Sequence, residues 1–94
     1  MTMEQIDFFL MTVRCDTFLE AAENLHIAQS TLSKQIQKLE SELNLTLFDR
    51  TRRQAVLTPA GELFCQEASE LSRQYHQMLR KMRPFKEAER QPLR

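Results

Sequence analysis

Residues 28–43, AQSTLSKQIQKLESEL, constrain the fold more than any other stretch of the chain. Leu32, Ile36, Leu39 and Leu43 recur at spacings of 4, 3 and 4. At about 100° per residue they fall on one narrow stripe, which predicts a single amphipathic helix. The opposite face carries Ser30, Ser33, Lys34, Gln37, Lys38 and Ser41. Its N-terminal half holds amides, hydroxyls and ammonium groups, with no acid and no bulky apolar residue. Such groups hydrogen-bond base edges and phosphates, so this face suits a DNA major groove. The acids Glu40 and Glu42 come late in the helix.

The segments before it complete a motif. Ile6, Phe9, Leu10 and Val13 follow an i, i+3, i+4, i+7 pattern that predicts a first helix to about Cys15, with Thr2 as its N-cap. Phe8 and Met11 widen its apolar face, which places it across the middle of the core. Asp16 or Thr17 caps a shorter second helix, and Thr17 with Glu20 has the spacing of a capping box. Its inner stripe is Phe18, Ala21, Ala22 and Leu25, whose alanines permit close helix crossing. The turn Asn24-Leu25-His26-Ile27-Ala28 has no glycine, so Asn24 or His26 must take up an unusual backbone conformation. Short helix, tight turn and longer helix with a polar outer face make a helix-turn-helix. In it Gln29 suits a bidentate pair with adenine N6 and N7. Lys34 reaches a guanine edge or a phosphate, and Ser30, Thr31 and Ser33 reach phosphate oxygens or base edges. A solvated face on any amphipathic helix reads the same way, so the helix alone leaves both readings open.

The next segment favours DNA. Asn44 suits a left-handed cap after Leu43. Two short strands, near 47–50 and 55–58, are predicted around the basic tip Asp49-Arg50-Thr51-Arg52-Arg53-Gln54. This is a wing, and arginines at its tip can enter a minor groove or clamp phosphates. The tip lacks the Gly or Asn of a two-residue hairpin, which predicts a longer turn. The candidate DNA-contacting set is therefore Gln29, Ser30, Thr31, Ser33, Lys34, Gln37 and Lys38 on the helix, with Arg50, Arg52 and Arg53 on the wing.

Thr58-Pro59-Ala60-Gly61-Glu62 is a helix start: Thr58 caps, Pro59 fits the first position and Glu62 favours the positive end of the dipole. The helix can run to Arg83, where Pro84 should stop or kink it. Phe64, Ala68, Leu71, Tyr75, Met78 and Met82 are spaced 4-3-4-3-4, a heptad-like seam. So long a helix cannot bury its whole stripe on a domain this small: only its first turns are expected to pack against its own domain, and a second copy of it is the natural partner. Two copies would place two reading helices on one palindromic site. The expected organisation is mainly α: a winged helix-turn-helix over 1–58 (three helices and a short two-stranded wing), a dimerising linker helix over 59–84, and a charged tail over 85–94 that serves as a hinge.

Net charge bears on this only through its distribution. Thirteen bases balance thirteen acids. Residues 1–27 hold Arg14 against Glu4, Asp7, Asp16, Glu20 and Glu23, whereas 28–58 hold Lys34, Lys38, Arg50, Arg52 and Arg53 against Glu40, Glu42 and Asp49. A local basic surface matters more for DNA than the total. No run approaches the roughly 18 apolar residues of a membrane span, and MTMEQIDFF has acids where a signal peptide has bases, so a cytoplasmic location is expected. Cys15 and Cys65 form no metal spacing with His26 or His76, and read as reduced thiols. His26 reads as a turn residue. These groups form no nucleophile–base pair, so no enzyme, no metal and no cofactor is expected.

Together these residues resemble the N-terminal DNA-binding region of LysR-type transcriptional regulators, from Met3 to about Lys86. The resemblance rests on Phe8-Phe9, on Thr17-Phe18 with Ala21-Ala22 and Leu25-His26-Ile27, and on Gln29, Leu32-Ser33, Gln35-Ile36 and Leu39-Glu40. It continues in Leu47-Phe48-Asp49-Arg50 and Leu57-Thr58-Pro59-Ala60-Gly61. It implies bacterial transcriptional regulation, with base and backbone contacts on Gln29, Ser30, Ser33, Lys34 and Arg53 and with Arg52 close by. It implies double-stranded DNA and a second copy of the chain as partners. A small-molecule effector would bind only through a larger C-terminal domain absent from this sequence, so the chain reads as a DNA-binding fragment. Ala28 stands where the family commonly has Ser, which weakens the cap of the reading helix; Ser30 stands for Pro, Lys34 for Arg, and Arg52 for a frequent Gly. The competing reading is a winged-helix protein-interaction module that uses the linker helix alone. It calls for an exposed apolar patch, and the outer face of 29–41 has none.

Overall fold

A computed structural model describes residues 1–90; residues 91–94, the end of the predicted tail, lie outside the described residues. Four helices follow in order: α1 (Met3–Arg14), α2 (Phe18–Leu25), α3 (Gln29–Leu43) and α4 (Pro59–Arg90). Helix α1 crosses the centre and packs on each of the other three. It starts in a full capping box: the Gln5 amide donates to the Thr2 hydroxyl, and the Gln5 side chain accepts from the Thr2 amide. Ile6 and Phe9 are buried as the periodicity predicts. Thr12 is buried with them, its hydroxyl donating to the Phe8 carbonyl at 2.8 Å, which satisfies the one polar group in that layer.

The expected capping of α2 is half met. The Thr17 hydroxyl accepts from the Glu20 amide at 3.1 Å. The Glu20 carboxylate, however, accepts from the amide of Asp16, one residue upstream of the cap. Ala21 and Ala22 are buried against the neighbouring helices. His26 ends α2 with φ of 60°, in the left-handed region, and the Ile27 amide bonds back to the Ala22 carbonyl. Asn44 does the same after α3, with φ of 57° and the Leu45 amide on the Glu40 carbonyl. These two left-handed residues set the turn before α3 and the end of α3 without a glycine. Helix α3 starts at Gln29 with Ala28 as an N-cap that makes no side-chain hydrogen bond. Leu32, Ile36 and Leu39 are fully buried and Leu43 partly so, as the 4-3-4 stripe requires.

Aromatic rings tie the layers together. Phe9 sits 5.3 Å from Phe48 and 4.9 Å, edge-on, from Phe64, so α1, the wing and α4 share one core. Phe18 meets Phe48 edge-on at 5.1 Å and adds α2 to it.

Two expectations need correction. The wing is not a pair of regular strands. Its arms join in a single antiparallel bridge, Phe48 to Leu57, with the Asp49 amide on the Val56 carbonyl at 2.8 Å and the Thr58 amide on the Leu47 carbonyl at 2.9 Å. The returning arm then leaves the hairpin, because the Ala55 amide bonds to the Asp16 carbonyl in the α1–α2 loop. Nor does α4 end at Arg83. It continues through Pro84 to Arg90. Proline removes one amide donor, the partner of the Arg80 carbonyl, but the residues from Leu79 to Ala88 are all exposed and water can satisfy that carbonyl.

Candidate nucleic-acid interface

The outer face of α3 stands in solvent. Gln29, Ser30, Thr31, Lys34, Gln37 and Lys38 are exposed, and Ser33 is half-buried. Helical geometry divides them around the axis opposite the buried stripe. Gln29, Ser33 and Gln37 follow one edge, Thr31 and Lys38 the other, and Ser30 and Lys34 stand between. Without a side-chain cap at Ala28, the first amides of α3 remain free donors at the positive end of the helix dipole.

The wing folds back toward this face. A groove of about 520 Å³ is lined by Gln29 and Ser33 of α3, by Arg50, Arg52, Arg53 and Gln54 of the wing, and by Phe18 and Leu19 of α2. Five of the residues singled out from the sequence thus meet at one place: Gln29, Ser33, Arg50, Arg52 and Arg53. Lys34, Gln37 and Lys38 line a separate polar depression farther along α3, beside Ser41. Leu19 and Gln54 had no sequence signal. Leu19 is 54% exposed at the mouth of the groove, an apolar position that no periodicity marks.

The three wing arginines differ in their surroundings. Arg53 has no ion pair among the described residues, and Arg52 makes only a loose one to Asp49, at 3.6 Å. Asp49 organises the tip: one carboxylate oxygen accepts from both the amide and the hydroxyl of Thr51, at 3.0 and 2.6 Å. Those bonds, aided by the Arg52 charge, hold its carboxyl below the usual carboxylate range. Arg50 is engaged inward, 2.9 Å from Glu40. Glu40 also accepts from the amides of Leu47 and Phe48, at 2.7 and 3.2 Å, a role its place late in α3 did not suggest. The only sequence sign of it was an acid within reach of the following basic segment.

Helix α4 separates into two parts. Phe64 and Ala68, both on the predicted seam, pack into the domain's own core. From Leu71 onward the seam is open: Leu71, Met78 and Met82 are exposed and Tyr75 half-buried, and they line an apolar groove with Met3 of α1. Because the helix passes Pro84, Phe85 joins the same stripe three residues after Met82 and is 66% exposed. No helix among the described residues is long and apolar enough to cross a membrane, and no group of metal-ligating side chains occurs among them.

The family model for bacterial regulatory helix-turn-helix proteins of the lysR family matches residues 3–62, which include the whole helix-turn-helix and the wing. The chain belongs to the LysR family. This LysR-type domain is 43% identical over 82 residues to the uncharacterized HTH-type transcriptional regulator YcgK of Bacillus subtilis, covering 87% of this chain and 25% of that protein. It is 38% identical over 71 residues to the HTH-type transcriptional regulator TfdT of Cupriavidus pinatubonensis, covering 76% and 31%. The chain therefore spans about a quarter to a third of the curated relatives it matches. Among solved structures it is similar to the BenM DBD in complex with benA site 1 DNA, with a TM-score of 0.86 and 36% identity over 90% of this chain and 99% of that one. It is also similar to Vibrio fischeri DarR in complex with DNA, with a TM-score of 0.88 and 26% identity over 94% of this chain and 30% of that one. The LysR-type domain is a helix-turn-helix DNA-binding domain, and the relatives it matches are transcriptional regulators.

Proposed function

We propose that the domain reads an interrupted palindromic operator as a dimer. Helix α3 enters the major groove, and the wing reaches the flanking minor groove. Gln29 reads a base edge, since a carboxamide can pair with adenine N6 and N7 together. Ser30, Thr31, Ser33 and Lys34 contact base edges or phosphates from the same half of α3. Gln37 and Lys38 follow the backbone farther along, and Arg52 and Arg53 supply wing cations. The open seam of α4, from Leu71 to Phe85, joins two copies. The domain acts in the cytoplasm, and effector sensing lies outside the matched region. The observation that carries this reading is the groove that unites Gln29 and Ser33 with Arg52 and Arg53 on one exposed face. The DNA complexes of structurally similar proteins support it.

Replacing Gln29 by alanine tests it. On the best duplex the loss should be about 1–3 kcal/mol, with relaxed preference at one position per half-site. On random duplex at the same salt the change should be small. Equal losses on both duplexes would contradict base reading by this helix.

A further inference from the structure

We propose that Glu40 and Arg50 form a positioning clamp that sets the wing against the reading helix, and that Arg50 acts through Arg53 rather than on a phosphate. This rests on the DNA-binding reading above. Glu40 lies in the last third of α3 with its side chain only 13% exposed. One carboxylate oxygen accepts the amides of Leu47 and Phe48, the two residues that open the wing. The other accepts the Arg50 guanidinium at 2.9 Å. The same guanidinium lies 5.1 Å from the centre of the Phe18 ring, at the start of α2. Phe18 in turn meets Phe48 edge-on. One cation thus joins α3, the outgoing wing arm and α2, on the inner side of the groove that Gln29 and Arg53 also line.

Three features assign Arg50 to this role. Its side chain is 41% exposed, but the guanidinium is bonded to a carboxylate with little access to water and rests on the Phe18 ring, so turning it outward to a phosphate would break both contacts. The wing has only one bridge pair to hold it, so its direction depends on bonds from outside the hairpin. Those bonds come from Glu40 on the outgoing arm and from Asp16 on the returning arm. Arg53, beyond the clamp, has no ion pair among the described residues and stands exposed. A wing loosened at Glu40 would carry Arg53 away from the groove floor formed by Gln29 and Ser33.

The clamp and a direct phosphate contact predict opposite signs for one substitution. Glu40→Gln removes a negative charge from a DNA-binding face and releases Arg50. If Arg50 were a phosphate contact, binding should tighten or stay level. If the clamp positions the wing, binding to the preferred duplex should weaken about tenfold, the scale of a lost hydrogen bond to a charged group. Arg50→Gln leaves the two backbone bonds to Glu40 in place, and it carries the test if Glu40→Gln loses its helical circular dichroism. Each loss should largely disappear in an Arg53→Gln background, because the clamp works through Arg53. Level or tighter binding by Glu40→Gln, or losses that simply add to that of Arg53→Gln, would overturn the clamp while leaving DNA binding intact. Failure of the unsubstituted chain to bind any duplex would overturn the DNA-binding reading, and the role of the clamp with it.

Discussion

A β-carbon at position 61 would stand 2.1 Å from the carbonyl oxygen of Leu47 and 3.0 Å from its carbonyl carbon. Gly61 is the only glycine in the chain, and it is buried in the first turn of α4 where the helix crosses the wing. The same junction is pinned by Thr58, whose hydroxyl accepts from the Gly61 amide and donates to the Thr46 carbonyl. Gly61→Ala should therefore destabilise the domain by about 3 kcal/mol in urea unfolding. Alanine elsewhere in a helix gains about 1 kcal/mol over glycine, and a gain here would mean that the wing yields at no cost. The need for glycine was only partly legible in the sequence: a helix start was plain from Thr58-Pro59, but the backbone that crosses it was not. The glycine-free turn left Asn24 and His26 as alternatives for the left-handed position, and it is His26 that takes it, whereas Asn44 was legible because asparagine suits such a cap. The role of Glu40 was not, because two of its three partners are backbone amides, of which composition carries no trace.

Among the elements, α1, α2 and α3 follow from apolar spacing and caps, and the structure keeps their boundaries to within a residue or two. The wing and the end of α4 do not. A strand needs partners along its length, and here Ala55 bonds to Asp16 across the fold instead of across the hairpin. An interior proline removes one helical hydrogen bond, and at Pro84 the surroundings are exposed, so water can satisfy the carbonyl left over. The longer helix extends the proposed dimer seam. Phe64 and Ala68 belong to the intrachain core, and the open stripe runs Leu71, Tyr75, Met78, Met82 and Phe85, again at 4-3-4-3. Replacing Leu71 and Tyr75 together by aspartate should leave the domain folded, since neither is in the core cluster. The variant should sediment as a monomer and bind its duplex weakly. An unchanged dimer would exclude this seam as the interface.

The molecule as a whole measures 63 × 26 × 21 Å, with about 48 Å of it the length of α4. Its charge is unevenly placed: Arg50, Arg52 and Arg53 lie around one groove with Asp49, Lys34 and Lys38 line a separate depression on α3, and the acids of residues 1–27 are largely on α1 and α2. A net charge of zero is compatible with DNA binding because phosphates meet the local surface rather than the total. The regional imbalance was visible in the sequence, but not that folding would set Arg53 beside Gln29. The central claim is that this surface reads bases, twice over, on a symmetric site. Selection of bound duplexes from a randomised pool, at two salt concentrations, tests it most directly. We expect a two-fold-symmetric consensus, with half-sites about one or two helical turns apart, that persists as salt is raised. Binding that falls steeply with salt and yields no consensus would reduce the surface to a phosphate contact and contradict the account.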